Sequence, residues 1–317
     1  MDWITEQLEF SPKAGDVIHH YCSAETFLSI LTHRTIRLSD IQCMNDRGER
    51  IWGREIIGQV ALAVSAGKAY AADFVRGLAA AIDFWQINSI AAAACFSLHP
   101  DSLGQWRGYA EDGSGFSIGF DACAMTAVDR LSSVHCVYDP EDIRKKIEFS
   151  VNAIYQRFAG NLARSGCQWA DGTEVLDLGS EVKESAGAYA TPWHDRDTMF
   201  LCVSLTRALE SFKHPAFEQE GEIRLTHIVH RVESGAAFRL ESANKKMTEP
   251  RIQFRLRNGV PAPFLDFPLP GNDERGHPIR DVILGPKNPA SPEQISVMLE
   301  TMRFPDVRVR RSSAPYC

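Results

Sequence analysis

Two long helical segments interrupt the predicted strands of this chain, so a single sheet must be assembled from distant parts of the sequence. Residues 51–85 are rich in alanine and favour a helix that breaks near Gly67. After Pro140, apolar residues recur at helical spacing: Ile143, Ile147, Val151, Ile154, Phe158 and Leu162. A further helix is predicted from Thr191-Pro192, because threonine caps helices and proline favours their first turn.

The predicted strands are short. Apolar or alternating runs predict them at 17–21, 35–38, 91–97, 116–120, 251–256 and 279–284. A connection rich in proline and glycine, 259–276, and a helix, 291–302, follow in the last part of the chain. These elements predict an α+β fold in one domain, 1–317. The core sheet is predicted from residues 17–50, 91–138 and 211–287, with helical insertions at 51–88 and 141–210.

Three alternate acids, Glu218, Glu220 and Glu222, lead into an apolar and cationic stretch. On a strand, alternate side chains share one face. Carboxylates at such short distances repel one another and raise one another's pKa, so they need a cation or a ligand beside them. We therefore predict a functional cleft over this strand. The structural alternative is a solvated strand on which Glu222 pairs with Arg224 or Lys213.

Composition excludes several classes of protein. A formal net charge of -7 and a pI near 5.8 argue against a broad phosphate-binding surface, although residues of about 250–280 leave room for a local basic groove. The eight cysteines form no C-x-x-C pair, and the first residues do not resemble a secretion leader. The most apolar window, 87–96, is about half the length that spans a bilayer. We predict a cytoplasmic protein without a membrane segment, and the absence of Walker and G-x-G-x-x-G loops argues against a kinase or Rossmann enzyme.

Seven motifs, in order, resemble the bacterial domain of unknown function 2971 family. They are His20-Tyr21-Cys22-Ser23, Asn45-Asp46 with Glu49, Cys95-Phe96-Ser97, Gln105-Trp106-Arg107-Gly108-Tyr109, 115–121, 220–225 and 282–286. The resemblance spans about residues 17–287. Because the name of this family carries no activity, function has to be inferred from the site.

A more distant resemblance is to the ADP-ribosyltransferases. In that family an early strand carries His or Arg followed by Thr or Ser, a middle strand supplies Ser or an aromatic residue, and a late strand supplies a catalytic Glu, often in E-x-E. The corresponding residues are His20, Cys22 and Ser23, then Ser97 and Tyr109, then Glu220 and Glu222. Cys22 departs from the usual Thr or Ser. The resemblance implies a split, mostly antiparallel sheet of the ADP-ribosyltransferase type with helical insertions.

This resemblance also implies NAD as substrate, with ADP-ribose transferred to a protein or nucleic acid, or NAD hydrolysed. A bacterial toxin or phage-defence effector with a regulatory partner protein would suit that activity. Glu222 would stabilise positive charge on the ribose as the nicotinamide leaves, and Glu220 would orient or deprotonate the acceptor. The remaining predicted contacts are His20 with a ribose, Tyr21 or Tyr109 with nicotinamide, Arg107 or Arg224 with the pyrophosphate, and Cys22, Ser97 and Trp106 around them.

Other interpretations remain open. The same fold would also suit a non-catalytic nucleotide-sensing or binding module, and Trp106 would equally serve as a core anchor. A metal site would draw on His19, His20, Asp46 and Glu222, and a cysteine nucleophile on Cys22 or Cys95 with His20. No motif in the sequence supports either chemistry. Asn45-Asp46 is predicted to form an Asx-type turn over the site.

Overall fold

The structure is a computed structural model that describes residues 3–44, 47–165, 193, 196–232, 239–240, 251–257, 259–271 and 276–316. Its helices are α1 (Trp3–Leu8), α2 (Ala24–His33), α3 (Arg47–Ser65), α4 (Ala71–Ile87), α5 (Leu103–Tyr109), α6 (Ala122–Thr126), α7 (Pro140–Ser165), α8 (Arg196–Ala208) and α9 (Pro292–Thr301). Its strands are β1 (Val17–Cys22), β2 (Thr35–Asp40), β3 (Ser89–Ser97), β4 (Phe116–Asp121), β5 (Ser132–His135), β6 (Glu222–Val232), β7 (Arg239–Leu240), β8 (Gln253–Arg257), β9 (Val260–Pro268), β10 (Ile279–Leu284) and β11 (Arg308–Arg311). Short 3-10 helices lie at Ile41–Cys43, Glu111–Gly113, Leu209–Ser211 and Pro215–Glu220.

The described strands form one open sheet in the order β11-β10-β4-β1-β3-β2-β9-β8. In addition, β6 pairs with β3, and both β5 and β7 pair with β6. β10 and β11 run parallel, and the other pairings between these strands are antiparallel. The prediction of an α+β fold with a mostly antiparallel sheet is confirmed. Segments far apart in sequence therefore lie side by side.

The sheet divides along one edge of β3. β6 pairs with β3 along its whole length, from Ser89 to Ser97, so β1 and β2 must share the opposite edge. β1 pairs there at Ser97, whereas β2 pairs at Ala92 and Ala93. Between these two points β1 and β2 diverge, which leaves the middle of β3 open on that edge.

Two large hydrophobic cores and two small clusters hold the described residues together. One face of the sheet packs against α2, α6 and α9 through residues such as Phe27, Met125 and Leu299. The second core joins α1, α3, α4, α7 and α8. All six apolar residues of the stripe predicted after Pro140 are buried in it. Gly67 lies in the connection between α3 and α4 with a left-handed φ of 68°, where the break was predicted. The predicted helix start at Thr191-Pro192 and the Asn45-Asp46 turn lie outside the described residues.

The predicted Pro/Gly-rich connection at 259–276 is wrong over its first half, because β9 is a full strand between β2 and β8. Proline normally argues against an internal strand because it lacks an N–H donor. Pro261 and Pro263 are two residues apart, so the positions of their missing N–H groups face the same edge of β9. The pairing of β9 with β2 stops at Phe264, so the missing donors interrupt no hydrogen bonds there.

Candidate functional site

A groove opens where β1 and β2 diverge along β3. It consists of two adjoining cavities, a narrow one of about 210 Å³ and a wide one of about 530 Å³. Both are lined by His20, Tyr21, Arg37, Ser39, Tyr109, Arg255 and Arg257. The narrow cavity is also lined by Cys95, Ser97, Lys213, Glu220, Glu222 and Arg224. The wide cavity is also lined by Cys22, Glu25 and Asp266. Together these cavities, here called the split-sheet groove, have the size of a small-molecule site.

An ion cluster of Lys213, Glu220, Glu222 and Arg224 forms one wall of the narrow cavity. Lys213 Nζ lies 2.5 Å from Glu220 Oε2 and 2.6 Å from Glu222 Oε2. Arg224 Nε donates to Glu222 Oε1 at 2.8 Å. The side chain of Lys213 is only 2% exposed, and that of Glu222 only 6%. The two carboxylates therefore meet because two buried cations lie beside them, and the predicted solvated pairing is in fact a buried one.

The predicted strand with three acids on one face is wrong. Pro215–Glu220 is a 3-10 helix in which the His214 side chain accepts from the backbone N–H of Ala216 at 3.2 Å. Gly221 then takes a left-handed φ of 51°, and β6 begins only at Glu222. Pro215 favours the helical turn because its φ is already restricted. Tertiary contacts nevertheless hold Glu220 close to Glu222. Ser97 Oγ, at the end of β3, donates to the Glu220 carbonyl oxygen at 2.6 Å.

Glu222 is ionised at neutral pH. Burial would raise the pKa of its carboxyl, but Arg224 and Lys213 outweigh burial and lower that pKa from 4.5 to about 2. Burial, followed by the charge of Glu222, raises the pKa of the neighbouring Cys95 thiol. The cavity therefore offers a fixed carboxylate and a protonated thiol. Cys95 lacks the thiolate that nucleophilic catalysis requires.

The pKa of Glu222 predicts a loss of stability in acid. Because folding lowers this pKa, ionisation of Glu222 stabilises the folded protein above about pH 4.5, and the contribution disappears as the pH falls to about 2. The full contribution is roughly 3 kcal/mol. In urea titrations, the difference in unfolding free energy between wild type and Glu222→Gln should be constant from about pH 7 to 5 and shrink below that. A difference that stays constant down to about pH 3 would contradict the lowered pKa.

His20 lies at the point where the strands diverge. Its Nδ1 is 2.9 Å from the carbonyl oxygen of Cys95, and because a carbonyl only accepts, Nδ1 carries the proton. Burial lowers the pKa of this imidazole, so the ring is neutral at pH 7. The imidazole N–H thus donates to a β3 carbonyl at a point where β1 and β2 have diverged and offer no backbone N–H. Nε2 remains an acceptor, which suits a hydroxyl group.

Two tyrosines contribute to both cavities in different ways. The Tyr109 hydroxyl donates to Glu220 Oε1 at 3.0 Å, and this tyrosine is 38% exposed. Tyr21 is buried: its hydroxyl donates to the His99 carbonyl at 2.7 Å and accepts from the Ser102 N–H at 2.9 Å. Its ring packs edge-on against Trp106. Of the two, Tyr109 is the more accessible to a ligand ring.

Two predicted cofactor-binding residues lie outside the groove, and a third lines only one of its cavities. Trp106 is fully buried, with Nε1 donating to Asp101 at 2.7 Å, and it lines neither cavity. Arg107 is exposed on α5, 5.9 Å from the ring of Tyr316, and also lines neither cavity. The predicted contacts of these two residues with NAD are corrected accordingly, because α5 turns them towards the core and the outer surface. Cys22 lines only the wide cavity, and burial raises its thiol pKa.

Sequence reasoning allowed for a local basic groove at about residues 250–280 but assigned no arginine of β2 or β8 to the site. Arg37 on β2 and Arg255 and Arg257 on β8 line both cavities. Alternation along β8 was the available signal, since residues two apart on a strand share a face. This alternation identifies the groove arginines only once the structure shows that β9 lies between β8 and β2, which places β8 beside the groove.

The part of the chain that the structure describes contains no group of three or more His, Cys, Asp and Glu residues placed to hold a metal ion. Asp46, one of the four residues considered for a metal, lies outside that part. None of the described helices is both long and apolar enough to cross a membrane.

Residues 105–225 match the sequence model of a family described as Protein of unknown function (DUF2971). The match begins in α5 and ends in β6, so it includes Tyr109 and the whole ion cluster. It supports the family resemblance carried by the motifs between these residues. Comparisons with curated proteins and with solved structures gave no match.

Proposed function

We propose that this chain is an ADP-ribosyltransferase-like enzyme that binds NAD in the split-sheet groove. It transfers ADP-ribose to a protein or nucleic acid, or hydrolyses NAD. One observation carries the proposal: His20, from the first strand, and Glu222, from the sixth, line the same narrow cavity together with Tyr109. That constellation was predicted from residues that are far apart in sequence.

The chemistry of these groups supports the proposal. Departure of nicotinamide leaves positive charge on the ribose, which an ionised carboxylate stabilises. Glu222 is held in that state by Lys213 and Arg224. Glu220 is more exposed than Glu222 and lies beside Tyr109, which suits it to orient the attacking hydroxyl or water. His20 Nε2 accepts from a ribose hydroxyl.

A second candidate is a nucleotide-binding module that performs no chemistry. It is favoured by the contacts of Glu222, because Arg224 occupies both of its oxygens and Lys213 occupies one of them. A carboxylate engaged in this way has little remaining capacity to contact a substrate. On this interpretation the ion cluster holds the wall of the cavity in shape.

Release of nicotinamide separates the two candidates. Purified protein is incubated with NAD, with and without a bacterial lysate as a source of acceptors, and nicotinamide is measured by chromatography. The enzyme releases nicotinamide, and mass spectrometry then finds ADP-ribose attached to protein or nucleic acid in the case of transfer, or free ADP-ribose in the case of hydrolysis. The binding module shows a thermal shift with NAD and no nicotinamide. Only nicotinamide release would support the further proposal that the protein is a toxin or defence effector with a regulatory partner protein.

A further inference from the structure

We infer that Arg255, supported by Arg37 and Arg257, forms a subsite for the diphosphate of a nucleotide in the wide part of the split-sheet groove. The inference rests on the proposed function in placing the nicotinamide ribose at Glu222. It deepens that proposal by assigning the charged middle of the ligand to residues on β2 and β8.

The three arginines converge through the sheet. Arg37 and Asp266 are direct partners in the pairing of β2 with β9, and their side chains bond at 2.8 and 3.0 Å. The Arg37 guanidinium also lies 3.8 Å from the centre of the Phe264 ring, which holds it in place. Arg255 reaches across β9 from β8, and its Nη2 donates to Ser39 Oγ at 3.1 Å.

Among the described residues Arg255 forms no ion pair, although the charge of Asp266 raises its pKa and so partly opposes the effect of Arg37 and Arg257. Asp266 is engaged by Arg37 in a two-bond pair, and Ser39 is neutral. Glu25 also lines the wide cavity, but it forms no ion pair with Arg37 or Arg255 in the described structure. Burial, then Arg37 and Arg257, lowers the pKa of Arg255, as expected where like charges gather. An added anion would relieve this repulsion.

A diphosphate fits this arrangement better than the sites predicted from the sequence. Arg107 lies outside the groove, and Arg224 is committed to Glu222 and to the Glu210 carbonyl oxygen at 2.7 Å. Arg255 is exposed and lines both cavities, so its guanidinium is accessible where they join. Guanidinium groups bind phosphate oxygens with two parallel hydrogen bonds, which a neutral nucleoside cannot accept in the same way.

The test compares ADP with adenosine as probes, using calorimetry on the full chain at low salt. Wild type should bind ADP at least about 10-fold more tightly than adenosine, since charge-assisted hydrogen bonds are the strong ones. Arg255→Gln should weaken ADP binding by about 10- to 100-fold and leave adenosine binding unchanged. Arg255→Lys should fall between the two, because it keeps the charge and loses the fork.

Arg76→Gln is the matched control, since Arg76 is an exposed arginine on α4 whose one ion pair within the described residues is with Asp73 of its own helix. Equal affinities for ADP and adenosine in wild type, or unchanged ADP binding in Arg255→Gln, would overturn the subsite. So would an equal loss in Arg76→Gln, which would indicate a general effect of net charge. Arg255-dependent ADP binding without nicotinamide release would keep the subsite and reject the proposed enzyme. Nicotinamide release with unchanged ADP binding in Arg255→Gln would do the reverse.

Discussion

Lys213→Met is expected to lower the free energy of unfolding by about 3 to 5 kcal/mol. Lys213 is buried, and its ammonium bridges Glu220 and Glu222 at 2.5 and 2.6 Å. Methionine is close to lysine in length and apolar, so it fills the space without supplying the charge. Two carboxylates then face one another with Arg224 as the remaining cation of the ion cluster. The measurement is urea unfolding followed by circular dichroism at pH 7.

The matched control for this prediction is Lys145→Met on α7. Lys145 is exposed and makes no ion pair within the described residues, so the same chemical change should alter stability by less than about 0.5 kcal/mol. If Lys213→Met loses less than about 1 kcal/mol, the ion cluster behaves like a surface pair and does not hold the cavity wall.

Glu222→Gln is expected to slow nicotinamide release from NAD by about 100- to 1,000-fold. Glutamine keeps the shape of the side chain but cannot offer a full negative charge to the ribose as its bond to nicotinamide breaks. The effect should appear in the rate at saturating NAD, because the charge develops only in the transition state. Initial rates are measured at a temperature at which both proteins are folded by circular dichroism.

Glu218→Gln provides the control for the catalytic prediction. Glu218 lies on the adjoining 3-10 helix, is exposed, and lines neither cavity of the groove. Its replacement should leave nicotinamide release unchanged. Equal rates for wild type and Glu222→Gln would reject the assigned role of Glu222. Binding of NAD without release in any of the three proteins would favour the nucleotide-binding module.

Local patterns in the sequence were sufficient for most of the secondary structure. The apolar stripe of α7 reflects one buried face, and the apolar run of β10 reflects a strand that is buried at five of its six residues, so a local apolar pattern is enough to specify each element. Such patterns failed where the environment was set by a distant segment. β9 contains three prolines and still forms a strand, because β2 and β8 pair with it on either side, and Pro261 and Pro263 lie beyond the end of the β2 pairing.

The candidate site was predictable in part for the same reason. His20, Glu220 and Glu222 were recognisable as candidate site residues because their side-chain chemistry and their order along the chain can be read directly from the sequence. Their burial was not, since the sequence suggested that Glu222 pairs with Arg224 or Lys213 on a solvated strand, whereas the structure buries Lys213 between Glu220 and Glu222. Trp106 and Arg107 belong to the same motif as Tyr109, yet only Tyr109 reaches the groove.

The sequence alone determined the α+β class, the positions of the two helical insertions, and the acidic and imidazole groups available for chemistry. Each of these depends on neighbouring residues and on which side of an element is apolar. Tertiary structure alone decided that β1 and β2 diverge on β3, that Glu222 lies between Lys213 and Arg224, and that arginines from β2 and β8 face one groove. These outcomes depend on strand order and register, which bring together charges whose mutual energy is absent from any local stretch of the chain.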